Sequence, residues 1–410
     1  MLGACLAAVA VGCACGPAWA SAGHRAPTNY YRLVQYPAAG FGGFYAQIAR
    51  ARRTIDMEMY ELVDSAAERD LVAAAARGVE VRVLLDRDFG GAEVNGSAAR
   101  YLAAHGVRIR WAPPGYIFHI KATTFDSRTS DISTANLVAE DYPTTRDAEI
   151  IDSDPAQVRA IEKTFSNDWT AGESGSPRAQ TVQAHGLIWS PNTGSGTAET
   201  ALVKQIESAR KTVDFESEEL SDPAIYRALA ADARRGVRCR IVMTRSSEWD
   251  PAFGVVTKAG CGVRLFADSS TALYIHEKLI LDDFETAQES LLIGSQNASV
   301  TSLTRNRELG IVLGREHGGA GAIASASATF SADFRHASPW SSAKPKPKPR
   351  RRPRPAPKPK PAVCHPKASS GNCYEPGEYC SDADHGMTGI AGDGESIICE
   401  NNDGWRWEPR

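Results

Sequence analysis

The chain has 410 residues, 42% of them hydrophobic, which is material for two or more units with buried cores. A formal net charge of −3 conceals a dense basic block between Lys344 and Lys360, so the remainder is acidic on balance. That balance argues against a catalytic body built as a broad nucleic-acid-binding surface.

Residues 2–20 are small and apolar and end in Ala18-Trp19-Ala20, the pattern of a secretory signal occupying residues 1–22. Cys13, after Ala10-Val11-Gly12, offers lipoprotein processing as the alternative. Six cysteines follow the segment: Cys239, Cys261, Cys364, Cys373, Cys380 and Cys399. An even number in an exported chain points to disulfides. The expectation is a secreted protein, with association to the cell envelope as a variant.

Beyond the signal, Thr54–Tyr60 reads as a strand, Ala66–Ala76 as a helix ended by Gly78, and Val79–Leu85 as a second strand. Further strands are expected near Val107–Trp111 and Phe118–Phe125. The pattern then returns as Thr212–Glu218, Pro223–Arg235, Val237–Met243 and Val263–Ala267. The residues themselves recur. Ala51-Arg52-Arg53-Thr54-Ile55-Asp56 reappears 158 positions later as Ala209-Arg210-Lys211-Thr212-Val213-Asp214. At the same displacement, Arg77-Gly78-Val79 matches Arg235-Gly236-Val237. A duplicated segment is the reading, with repeats at 23–180 and 181–340. Alternating strands and helices give an α/β fold of mixed or parallel sheets flanked by helices, the two repeats packed as pseudo-twofold partners.

From 341 to 362, Lys and Arg alternate with Pro, which describes an extended cationic linker suited to an anionic envelope surface. Residues 363–410 carry four cysteines with Trp405 and Trp407. So short a module calls for disulfide staples, and four cysteines allow three connectivities. Its tryptophans suit either a binding surface or a miniature core. Cys239 and Cys261 stand near the starts of two expected strands, where a bridge or two free buried thiols would both fit.

Chemistry concentrates at two matching places. The first repeat holds His119-Ile120-Lys121, then Asp126, then Ser133-Thr134-Ala135-Asn136, then Glu149. The second holds His276-Glu277-Lys278, Asp283, Gly294-Ser295-Gln296-Asn297 and Glu308. On a strand, His119 and Lys121 would share one face, as would His276 and Lys278. Across a pseudo-dyad, two His, two Lys and two Asn would then line one cavity. Cations and amide donors bind phosphate oxygens, one His can attack phosphorus, and the other can protonate the departing alkoxide. Glu149 and Glu308 are the candidates for fixing the tautomers of the two histidines.

This paired HxKxxxxD and GSxN constellation resembles the phospholipase D superfamily, over about Tyr30 to Trp340. The resemblance implies His119 as nucleophile and His276 as general acid. It places Lys121, Lys278, Asn136, Asn297 and Ser295 on the phosphate. Asp126 and Asp283 complete the two motifs and are counted with the catalytic set, although in this family they more often serve structure. Ser133-Thr134 departs from the family's Gly-Ser, which removes a glycine's backbone freedom in the first half. The expected activity is hydrolysis of a phospholipid headgroup ester to phosphatidate at a membrane surface, by a monomer using no cofactor and no metal. The alternatives are an extracellular nuclease with the same chemistry and a non-catalytic envelope-binding protein.

Overall fold

In a computed structural model of the protein, the described residues are 29–88, 91–174, 180–191, 196–341, 364–368, 371–392, 394–401 and 405–410. The expected signal with Cys13, and the basic segment Lys344–Lys360, lie outside the described residues. The chain divides into one unit ending at Ser342 and another running from Ala343 to Arg410.

In the first unit, each repeat builds a mixed sheet. The strand order in the first is Tyr31–Gln35, Ala148–Asp152, Thr129–Ser133, Lys121–Phe125, Thr54–Met59, Glu80–Leu85, Arg108–Trp111. The second sheet repeats it as Leu187–Ser190, Glu308–Gly314, Ser290–Gly294, Leu279–Asp282, Thr212–Glu216, Arg238–Thr244, Gly262–Phe266, adding Ser338–Pro339 at the edge. The last three strands of the shared order are parallel in both sheets. The histidine-motif strands join antiparallel to them. The α/β class read from the alternating pattern is the observed one.

The same local devices recur at the same displacement. Asp64 caps the helix Ser65–Ala76 by accepting from the Ala66 and Ala67 amides, and Asp222 caps Pro223–Arg234 by accepting from Ala224. Gly78 and Gly236 then turn the chain at φ 89° and 93°, a conformation that suits glycine. Asp56 receives a two-pronged hydrogen bond from Arg82, as Asp214 does from Arg240.

One core cluster joins the repeats. Ile120, Ile132 and Ile150 pack with Leu281, Ile293 and Ile311, together with Phe165, Trp169, Ile323 and Phe330 from the helices Pro155–Ser174 and Ala320–His336. Fully burying each such side chain is worth about 1.5–3 kcal/mol, which fixes one repeat against the other. Each repeat also has its own core beneath the remaining helices, around Ile55, Leu71 and Val83 or around Val213, Leu229 and Ile241. Cys239 and Cys261 are bridged, tying two parallel neighbours together.

The second unit contains a three-stranded antiparallel sheet, Thr388–Ile390, Ser396–Asn401 and Trp405–Pro409. Its disulfides are Cys364–Cys373 and Cys380–Cys399, which selects one of the three connectivities. Trp407 is fully buried with Tyr374, Ala391 and Ile397 and is the miniature core. Trp405 is half-buried and stacks on His385 with ring centroids 3.8 Å apart. Among the described residues, no helix is long and apolar enough to cross a membrane.

Candidate active site

The segments leading into the two histidine motifs leave their own sheets and pair with the opposite repeat. Phe118 bridges Arg307 in parallel, and the His119 amide donates to the Arg307 carbonyl at 2.8 Å. In the second half, Tyr274–Ile275 pairs with Thr145–Arg146, and the His276 amide donates to the Arg146 carbonyl at 3.1 Å. The strand expected over Phe118–Phe125 therefore begins only at Lys121, because the preceding backbone spends its hydrogen bonds on the other repeat. Both crossing points are anchored alike: Asp168 holds Arg307 and Asp333 holds Arg146, each through two guanidinium nitrogens.

The residue after each of these arginines is a carboxylate, and it serves the histidine of the other repeat. His119 Nδ1 lies 2.9 Å from Glu308 Oε2, and His276 Nδ1 lies 2.8 Å from Asp147 Oδ1. Of the two carboxylates expected in this role, Glu308 takes it and Glu149 does not, Asp147 standing in its place. Glu149 stands two residues deeper on its strand, is buried beside Asp131, and accepts from Tyr36 Oη at 3.4 Å. Its burial pushes the carboxyl upward, toward the neutral form. A spacing in the sequence identifies the right residue, since Thr134 to Asp147 and Ser295 to Glu308 are both steps of 13.

Those two hydroxyls complete the orienting groups. Ser295 Oγ donates to Glu308 at 2.6 Å while accepting from the Leu309 amide. Thr134 Oγ1 donates to Asp147 at 2.6 Å and accepts from the Ala148 amide. Ser295, expected on the phosphate, is thus committed to a carboxylate within the sheet. The Gly-to-Ser difference at 294 and 133 also belongs to packing. A Cβ at Gly294 would strike the Gly310 Cα and the Leu309 carbonyl, and Gln296 fills the space beside them. In the first repeat Ala135 takes the place of Gln296, so Ser133 and Glu149 fit.

Asp126 and Asp283 are not in the catalytic set. Asp126 accepts from the amides of Arg52, Arg53 and Thr54, and Asp283 from those of Arg210, Lys211 and Thr212. Both sit in left-handed turns, at φ 54° and 49°, beyond the far end of the histidine-motif strands. Burial would raise Asp126, but the three amides outweigh it and hold the carboxylate below its usual range.

The remaining groups converge. His119, Lys121, His276 and Lys278 are all at least nine-tenths buried. Each lysine ammonium donates to the carbonyl of the histidine before it, at 2.9 Å for Lys121 and 2.5 Å for Lys278. Asn136 Nδ2 donates to Glu61 at 2.6 Å and Asn297 Nδ2 to Glu219 at 3.2 Å, and each amide has a second N–H to give. Burial, aided by Lys121 and Lys278 against the opposing pull of Glu308, lowers His119 to about 4, so its ring is neutral at pH 7. Burial and Lys278 lower Lys121 to about 7.

The half-sites also differ in what stands beside the histidine rings. Tyr60 stands edge-on to the His119 ring at 4.6 Å, with the Lys121 ammonium 4.6 Å from its ring centre. Its counterpart 158 positions on is Glu218, which pairs with Lys278 at 3.0 Å, approaches His276 Nε2 at 3.5 Å and accepts from Tyr274 Oη at 2.9 Å. Burial would raise Glu218, but Lys278 and His276 hold it well below the ordinary range. Tyr60, Glu61, Glu218 and Glu219 were not singled out from the sequence, although the 158-residue displacement aligns them. Among the described residues, no cluster of three or more His, Cys, Asp or Glu is arranged to hold a metal.

The chain belongs to the phospholipase D-like family: the family described as "Cardiolipin synthase, PLD-like domain" matches residues 44–169 and 202–334, more than half of the chain. No curated protein matches the sequence. Among solved structures, the phosphatidylserine synthase of Haemophilus influenzae Rd KW20 is similar at 12% identity and TM-score 0.56, over 76% of this chain and 88% of that one. The polyphosphate kinase of Porphyromonas gingivalis is similar at 16% identity and TM-score 0.53, over 69% of this chain and 44% of that one. The chain thus spans less than half the length of that kinase. At these identities the likeness is one of fold.

Proposed function

We propose that this phospholipase D-like protein is a phosphodiesterase that hydrolyses a phospholipid headgroup ester through a phosphohistidine. The observation that carries this reading is the crosswise pairing: each histidine has Nδ1 held by a carboxylate of the other repeat, which leaves Nε2 for chemistry. His119 Nε2 attacks phosphorus, the bond to the headgroup oxygen breaks, and the leaving oxygen takes a proton from His276 Nε2. Water then attacks the phosphohistidine, passing a proton to His276, and the P–N bond breaks to release phosphatidate and restore His119. Lys121 and Lys278, with the second N–H of Asn136 and Asn297, supply the positive field for the non-bridging oxygens.

Positive charge at the phosphate comes from side chains, so activity is expected to persist in EDTA. Both half-sites lie on one chain, which supports a monomer acting at a lipid surface. Three disulfides support an oxidising, extracellular setting. The deciding assay presents phosphatidylcholine vesicles and, separately, plasmid DNA to the purified protein in EDTA. Headgroup release abolished by His119→Ala is the expected result. Cleavage of DNA alone would replace the lipid reading with a nuclease, and silence on both would leave a binding protein.

A further inference from the structure

We infer that Glu218 and Tyr274 make the site selective for phosphodiesters whose departing alcohol carries an ammonium group. This rests on the phosphodiesterase reading and names the substrate class of that same site.

In-line displacement sets the two sides apart. If His119 attacks phosphorus, the leaving oxygen departs on the opposite side, beside His276. A cavity of about 390 Å³ opens there, and His276 is among its walls. The ring is nine-tenths buried, its Nδ1 is taken by Asp147, and its Nε2 lies 3.5 Å from Glu218 Oε2. This cavity receives the alcohol that leaves.

The duplication shows what is special about its walls. Where the His119 side presents the Tyr60 ring, the His276 side presents the Glu218 carboxylate, held ionised by Lys278 and fixed by Tyr274 Oη. Tyr274, 39% exposed, lays its ring beside His276 with an interplanar angle of 25°, and Tyr142 forms another aromatic wall. Asp141 and Asp268 stand exposed at the rim, and the described lining includes neither Lys nor Arg. A carboxylate beside aromatic faces attracts an ammonium or quaternary ammonium and repels an anionic or phosphate-rich leaving group. An ammonium two carbons beyond the leaving oxygen would come within reach of Glu218.

The test measures kcat/KM on monomeric dioctanoyl phosphatidylcholine, phosphatidylethanolamine and phosphatidylglycerol, with bis(p-nitrophenyl) phosphate as the neutral-headgroup reference. The two ammonium lipids are expected to exceed phosphatidylglycerol by tenfold or more. Glu218→Gln is expected to bring that ratio near one. Choline chloride is expected to compete with phosphatidylcholine more strongly than sodium chloride at equal ionic strength, a measurement that needs no variant. Equal rates on all three lipids, or a Glu218→Gln loss shared equally by all three, would overturn the inference and leave Glu218 as a partner of Lys278 only. Inactivity of the unmodified protein on every diester, the reference included, would instead overturn the phosphodiesterase reading itself.

Discussion

The two repeats place the same groups by the same means, and they differ where a substrate would meet them. Strand order, helix caps, Arg–Asp pairs, buried lysines and the 13-residue step from hydroxyl to carboxylate are shared. On the substrate-facing surface Glu218 answers Tyr60, whereas Glu308 against the shorter Asp147 and Gly294 against Ser133 are differences behind it, in the orienting carboxylates and the packing. A duplicated scaffold can hold a symmetric phosphate while the two oxygens exchanged on it need different surroundings. On the proposed mechanism, the Tyr60–Glu218 difference would mark which half handles which oxygen.

The sharpest way to break this comparison is to remove each histidine in turn. His119→Ala is expected to lose at least about 10⁴-fold in turnover on any diester, since no nucleophile remains. His276→Ala should lose about 10²–10⁴-fold on lipid, where the alkoxide needs a proton, but far less in the first step with p-nitrophenolate leaving. It should also let a phosphorylated His119 accumulate, detectable by intact-protein mass spectrometry. Equal losses on both substrates would erase the division of roles.

The crosswise carboxylates come next. Glu308→Gln and Asp147→Asn should each lower kcat by about 10²-fold or more, whereas Glu149→Gln should change it by less than about threefold. A large effect at Glu149 would restore the pairing first expected. The pH profile probes the same groups. Protonation of His119 removes its lone pair, so kcat/KM is expected to fall as pH drops through about 4. Loss of the Lys121 charge should make it fall as pH rises through about 7. Phosphate binding favours the ammonium, so the alkaline limb of kcat should lie higher.

Smaller effects test the corrected residues by stability. Asp126→Ala should cost about 2 kcal/mol in urea denaturation, through three lost charged hydrogen bonds, with a near-native Michaelis constant. Gly294→Ser should destabilise by about 1–3 kcal/mol because its Cβ meets backbone, while Ser133→Gly should cost only about 0.5–1 kcal/mol.

Much of this molecule is determined along the chain itself. Periodicity, the 158-residue recurrence and the twice-repeated His-x-Lys are local in sequence, because caps, strand alternation and turn glycines act over a few residues. They disclose the α/β class, the duplication, the lysines, the asparagines and one orienting carboxylate. What only the tertiary structure decided depends on contacts between residues far apart. Phe118 and Tyr274 leave their own sheets to pair across the pseudo-dyad, so each histidine takes its carboxylate from the other repeat. Glu149 is suitable by type and by distance along the chain, yet it lies two residues too deep. The 158-residue displacement aligns Tyr60 with Glu218, but only the fold sets one beside His119 and the other beside His276. The physical reason is that a hydrogen bond is set by the packing of two surfaces, and a linear sequence records each surface without the orientation that joins them.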